Sequence, residues 1–285
     1  MAKIVRVVAK RSDGQVFSYE NADWRIISIE GIDFPTMEVF TKERGFGNGD
    51  IITGKRKGSR DVDIVARSQN SATNEYDRTM ALAFHNANHV YDLEFTYMGN
   101  TRIAKNCVIT GAKCEAETVY RNQEITVSFK APDADLYADL QTQTNFVATT
   151  PLWHVTRAYP LGGSLPFDSM EKAIIKTVNY LGSEPAPIIA TLKAKGLVNG
   201  VIARVGTVTI TVDVQLTSGD TIVIDAENKL VTLNGERVSE SLYNYLDLPS
   251  LALQYGDNDV QVSAEDENNL AFDARMDYTG RYGGL

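Results

Sequence analysis

The stretch that most constrains the fold is residues 231–262, VTLNGERVSESLYNYLDLPSLALQYGDNDVQV. Val231-Thr232-Leu233 alternates and runs straight into Asn234-Gly235. That pair readily takes the positive φ angles of a two-residue hairpin turn. The chain then passes Leu242, Tyr243, Tyr245 and Leu248 to Pro249, which ends strand pairing because proline has no amide hydrogen for the ladder. Leu251 and Leu253 form another alternating piece, Gly256-Asp257-Asn258 predicts the next turn, and Val260/Val262 the next strand. The pattern is that of antiparallel sheet.

Upstream, residues 4–9 predict a strand, Ser12-Asp13-Gly14 a turn, and residues 16–19 a strand pairing back. WRIISI at 24–29 is mostly apolar, as in a strand covered on both faces. Residues 38–67 then hold two extended pieces around a tip rich in glycine and positive charge, with Gly45, Phe46, Gly47, Gly49, Ile51, Ile52, Gly54, Lys55, Arg56, Lys57, Gly58 and Arg60. Val62, Ile64 and Ala66 alternate on the return. A phosphate loop would need a helix straight after its glycines. Extended basic sequence follows instead, so the stretch predicts a long hairpin arm. Such an arm cannot bury its own faces and must lie on something.

Residues 71–88 predict the one clear helix. Ser71 or Asn74 caps it, and Glu75 and Asp77 sit in the first turn, where the helix dipole favours anions. Tyr76, Met80, Ala83, Phe84 and Ala87 fall on one apolar face. Residues 91–97, 103–117 and 125–129 predict further strands. Residues 133–151 are polar and predict a linker with a short helix at 134–140. The partition is residues 1–133, a linker at 134–151, and residues 152–285, where strands are expected at 153–159, 174–180, 187–195, 205–214, 221–225 and 272–278.

A chain of 285 residues with 43% hydrophobic content suits two domains with real cores. The basic start, MAKIVRVVAKRSDG, lacks the long apolar run of a signal peptide and reads as a first strand of a protein made in the cytosol. Net charge is −9, unevenly spread: residues 213–279 hold 14 Asp/Glu against 3 Lys/Arg. An acidic second half argues against gripping nucleic acid or anionic membranes. Cys107 and Cys114 would face each other only if Thr110-Gly111 were a hairpin turn; otherwise they are two small strand residues. Cytosolic thiols stay reduced.

No convergent catalytic set is visible. The chain has three histidines and no Gly-x-Ser-x-Gly, and its carboxylates fall largely in turns. The expectation is therefore no enzyme and no cofactor. His85 and His89 have zinc spacing on the helix, but Asn86 stands where a metalloprotease has its Glu, and no third ligand is in reach. Asp257, Asp259 and Asp266 lack EF-hand spacing. No metal site is expected.

Three segments carry a family resemblance. The pattern ID…VTLNG…YL…P.L.L..GDN.V.V over residues 224–262, the arm with its returning DVDIVAR strand, and the run of helix, YDLEFTYMGNTRIAKNCVITG and EITVSFKAPDADLY all resemble the distal tail protein (Dit) family of long-tailed bacteriophages. The resemblance implies a mainly β chain of two β-sandwich domains. The N-terminal one would be tail-tube-like, with one helix and a long hairpin arm, and the C-terminal one a galectin-like jelly roll. It implies a structural hub in the virion tail tip, assembled in the host cytoplasm. There a hexameric ring would join the tail tube to tape-measure, lysin and receptor-binding proteins and let DNA pass. The arm would be the subunit contact, through Gly45, Phe46, Gly47, Ile51, Ile52, Lys55, Arg56, Lys57, Arg60, Val62 and Ile64. The alternative is a carbohydrate-binding module. Galectins read sugar with a His-x-Asn-x-Arg strand and a nearby Trp and Glu, whereas here Trp153 and His154 are adjacent and point to opposite faces of a strand.

Overall fold

The computed structural model describes residues 5–70, 74–114, 122–151, 168–172, 175–266 and 271–285. The chain divides into two units, one of residues 1–139 with 281–285, the other of residues 140–280. The whole strand expected at 153–159, with Trp153 and His154, lies outside the described residues, as does Ser71.

In the first unit the strands are β1 (Arg6–Arg11), β2 (Val16–Ser18), β3 (Trp24–Glu30), β4 (Met37–Glu43), β5 (Asp50–Lys57) and β6 (Arg60–Ser68). The helix α1 (Asn74–Phe84), β7 (Val90–Tyr97), β8 (Asn100–Cys114), β9 (Glu124–Ala131) and the first residues of β10 (Leu136–Pro151) follow. Period-two alternation places Val62, Ile64 and Ala66, then Tyr91, Leu93 and Phe95, then Ile125, Val127 and Phe129 in one core. The long β8 joins two sheet halves. Its first part pairs with β7 and its second with β9, and the antiparallel order is β2-β1-β7-β8-β9-β6-β3. Met98 (φ 50°) and Gly99 (φ 87°) make the tight turn into β8.

Three expectations fail here, and one open alternative is decided. β3 is an edge strand whose Ile27 is exposed, with a bulge between Ile26 and Ser28, so only one of its faces is covered. Of the two readings of the cysteines, the strand one holds: Cys107 and Cys114 are free thiols on β8, which runs through Thr110-Gly111 without turning. The stretch at 136–151, expected as a linker with a short helix, is strand β10. In α1 the inward side is Asp77, Ala81, Phe84 and His85, while Tyr76, Met80 and Ala83 face outward.

That inversion has a polar cause. Asp77 is buried because Ser68 Oγ donates to it. His85 is buried because both ring nitrogens are engaged: Nδ1 donates to the Ala81 carbonyl at 2.7 Å, and Nε2 accepts from the Tyr19 hydroxyl. Arg11 covers the helix end, donating through Nη1 to the carbonyls of Ala83 and Phe84, where the dipole favours a cation.

The second unit holds the rest of β10, then β11 (Asp168–Lys172), β12 (Ile175–Tyr180), β13 (Ala186–Ala194), β14 (Val198–Val205) and β15 (Val208–Leu216). It continues with β16 (Thr221–Asp225), β17 (Leu230–Leu233), β18 (Glu236–Arg237), β19 (Ala252–Leu253), β20 (Gly256–Ala264) and β21 (Phe272–Tyr282), which leaves the unit at Gly280. One sheet runs β12-β20-β14-β15, the other β18-β17-β16-β13-β21, with β19 on the end of β13. Ile188, Ala190 and Leu192 of β13 share a core with Val260 and Val262 of β20. Asn234 (φ 53°) and Gly235 (φ 86°) form the expected hairpin turn between β17 and β18. Pro249 sits in a 3₁₀ turn, Leu248–Ser250. Two details differ from expectation. Gly256-Asp257-Asn258 opens β20 rather than preceding it. The run 205–214 is interrupted at Gly206 (φ 56°), the turn of an unforeseen β14–β15 hairpin. Among the described residues, no helix is long and apolar enough to cross a membrane.

Candidate subunit-interface arm

Strands β4 and β5 pair only with each other. At about 3.3 Å per residue, eight-residue β5 spans roughly 25 Å. Every residue of β4 is exposed, as is most of β5. At the tip Gly47 (φ 105°) and Gly49 (φ 87°) take conformations open to glycine, and Phe46 between them and Gly45 is 99% exposed.

The register sets what each face shows. Phe40 pairs with Gly54 and Thr41 with Ile52, so Thr53 is an extra residue in a bulge, its hydroxyl bonded to the Phe40 carbonyl. Cross-strand partners share a face. Met37, Val39 and Ile52 therefore lie on one face, and Phe40 and Ile51 on the other. All five are about half exposed. Both faces of the ribbon thus carry half-exposed apolar side chains.

The root is rigid where the tip is open. Gly31 (φ 82°) packs so closely on β6 that a Cβ would lie 1.9 Å from the Asp61 carbonyl oxygen. Gly58 N–H donates to the Thr36 carbonyl at 3.3 Å, closing the hairpin's base. Arg60 is 2% exposed. Its Nε donates to the Ala134 carbonyl at 2.8 Å, Nη1 to those of Gly31 at 2.7 Å and Asp33 at 2.6 Å, and Nη2 to that of Gly283 at 2.6 Å. Burial pulls its pKa down, opposed by Asp135, Asp133 and Asp33.

Eleven contact residues were expected from the sequence. The structure brings eight of them, Gly45, Phe46, Gly47, Ile51, Ile52, Lys55, Arg56 and Lys57, onto the arm. Arg60, Val62 and Ile64 are elsewhere: they belong to β6, and the two apolar ones are fully buried in their own core. The basic cluster divides as well. Arg56 grips Glu38 across the hairpin at 2.7 Å, and Lys57 reaches Asp135 at 2.9 Å. Sequence reasoning missed Phe34, 74% exposed just before the arm, and the outward Tyr76–Met80 stripe of α1. Among the described residues, no group of three or more His, Cys, Asp or Glu could hold a metal.

The described residues thus present a two-stranded hairpin exposed on both faces, the geometry of a contact surface. Residues 181–282 match the model of the siphovirus-type tail component, C-terminal domain, of SPP1 Dit type. The whole chain is similar in fold to SPP1 Dit, described as a paradigm of the hub adsorption apparatus in phages infecting Gram-positive bacteria. The TM-score is 0.65 at 11% identity, covering 98% of this chain and 99% of that one. The phage P2 baseplate in its activated conformation with calcium gives 0.48 at 9% identity, over 99% and 100%. No curated protein matches the chain. Residues 181–282 are thus similar to the C-terminal domain of Dit-type siphovirus tail components.

Proposed function

We propose that the chain is the distal hub of a long-tailed phage tail, with six copies closing a ring through which DNA passes. The observation that carries this reading is the arm, exposed and apolar on both faces. An isolated two-stranded ribbon is marginal in water. Covered by a neighbouring copy, each large side chain would contribute about 1.5–3 kcal/mol before ordering costs. Head-to-tail contacts of this kind close into a ring when the rotation between copies completes a circle. The sixfold number, and partners among tail-tube, tape-measure, tail-lysin and receptor-binding proteins, follow from the family resemblance and from the adsorption hub named for SPP1 Dit. The setting is the virion tail tip, with assembly in the host cytoplasm.

The test uses the closed base of the hairpin. Thr36 and Gly58 are hydrogen-bonded neighbours, so residues 37–57 can be replaced by a two-glycine link. The expected product is a folded monomer, read by sedimentation and circular dichroism beside a ring-forming parent. Rings from the arm-less chain would place the interface on the bodies of the units and remove this reading.

A further inference from the structure

The segment Arg281–Leu285 returns to the first unit and ends on the root of the arm. Leu285 N–H donates to the Ile32 carbonyl at 3.0 Å. Gly284 lies flat on the chain entering the arm: a Cβ there would stand 3.2 Å from the Asp33 carbonyl carbon and 3.3 Å from the Phe34 nitrogen. Gly283 gives its carbonyl to Arg60, whose other donors hold Gly31 and Asp33. The Arg102 guanidinium stacks on the Tyr282 ring at 3.4 Å from its centroid. Arg60 begins the strand that leaves the arm, and residues 31–34 form the segment that enters it. One five-residue segment therefore touches both feet of the hairpin, one directly and one through a buried cation.

We propose that residues 281–285 act as a strap that fixes the direction in which the arm leaves the first unit, and that ring assembly requires the strap as well as the arm. The proposal rests on the arm being the subunit contact. A hairpin about 25 Å long amplifies any tilt at its feet, and a head-to-tail ring closes at one angle only. Loss of the strap should leave an arm with all its contact residues but no common direction. Body strands β6 to β9 keep their own pairing without it.

The experiment compares four full-length preparations: the parent, the arm-less chain, a chain lacking residues 281–285, and Gly284→Val. The valine variant keeps every hydrogen-bonding group of the strap and only pushes it off Asp33 and Phe34. It decides the matter if the truncated chain does not fold. Amide exchange at Gly58, whose N–H closes the base of the arm on Thr36, should speed up at least tenfold in the strap variants, with exchange in β6 and β9 unchanged. The assembly concentration should rise at least tenfold. Strap variants that assemble like the parent, beside an arm-less chain that stays monomeric, would overturn the strap alone. Unchanged exchange at the arm's feet would overturn it too. An arm-less chain that still assembles would overturn the arm reading, and the strap with it.

Discussion

The Tyr19 hydroxyl donates to His85 Nε2 across 2.5 Å in the interior of the first unit. The direction is fixed by the other ring nitrogen. Nδ1 faces the Ala81 carbonyl, which only accepts, so Nδ1 carries the proton and Nε2 is left as acceptor. The pair ties the end of α1 to the residue just after β2, and aromatic rings surround it, with Phe17 and Phe84 edge-on to the imidazole.

This arrangement predicts acid sensitivity. Burial first, and the nearby Arg11 charge in addition, hold His85 down at about 4, against the hydrogen bond to Ala81. Its unfolded value is about 6.5. Between these values the unfolded chain binds the extra proton, so stability is full above pH 6.5 and falls as pH drops towards 4. The loss is about 3 kcal/mol over that window. Urea midpoints for the parent and His85→Gln should show the parent's slope shrinking in the variant. An NMR titration of His85 near pH 6.5 would contradict the prediction.

Glycines with similar φ should respond very differently to alanine. Gly14 (φ 89°) has nothing within 4 Å of a would-be Cβ, so Gly14→Ala should cost only the backbone penalty of about 1–2 kcal/mol. Gly31→Ala adds a collision with the Asp61 carbonyl and should cost more than about 4 kcal/mol. Thermal unfolding of the two variants measures the gap.

The two faces of the arm can be tested separately. Val39→Glu with Ile52→Glu charges one face, and Phe40→Glu with Ile51→Glu the other. Because these residues are exposed, folding stability should change by less than about 1 kcal/mol. Each pair should nonetheless weaken self-association at least tenfold, as light scattering over a concentration series would show. A face that tolerates charge is not covered in the assembly.

How much of this was legible beforehand depends on which residues carried the signal. β6, β7 and β9 could be read because apolar residues alternate along their core sides, and Asn234-Gly235 because the turn chemistry is local. The inner face of α1 could not. Asp77 and His85 are inside only because Ser68 and Tyr19, distant in sequence, satisfy them. The arm was visible as glycine and charge, but its limits were not. Arg60 counts as one more basic residue until four carbonyls converge on it, and none of them is marked in sequence. The polar run QTQTN became strand because β10 exposes most of those side chains, which hydropathy reads as loop.

The thiols should also differ. Burial pushes Cys107 up to about 12, and its Sγ donates to the Ala104 carbonyl. A rise from 9 lowers the thiolate fraction about a thousandfold at neutral pH. Cys107 should stay unlabelled by a maleimide in the folded protein and react on unfolding. Cys107→Ser should therefore remove only the slow phase. Rapid labelling of the native Cys107 would show that the core opens there.

The return of residues 281–285 to the first unit has a topological result. Two covalent passages join the units, one after Asp139 and one after Gly280. A protease nick at either leaves them tethered by the other. A fragment ending at residue 139 is not the first unit but that unit without its closing segment. Releasing either body intact takes two cuts.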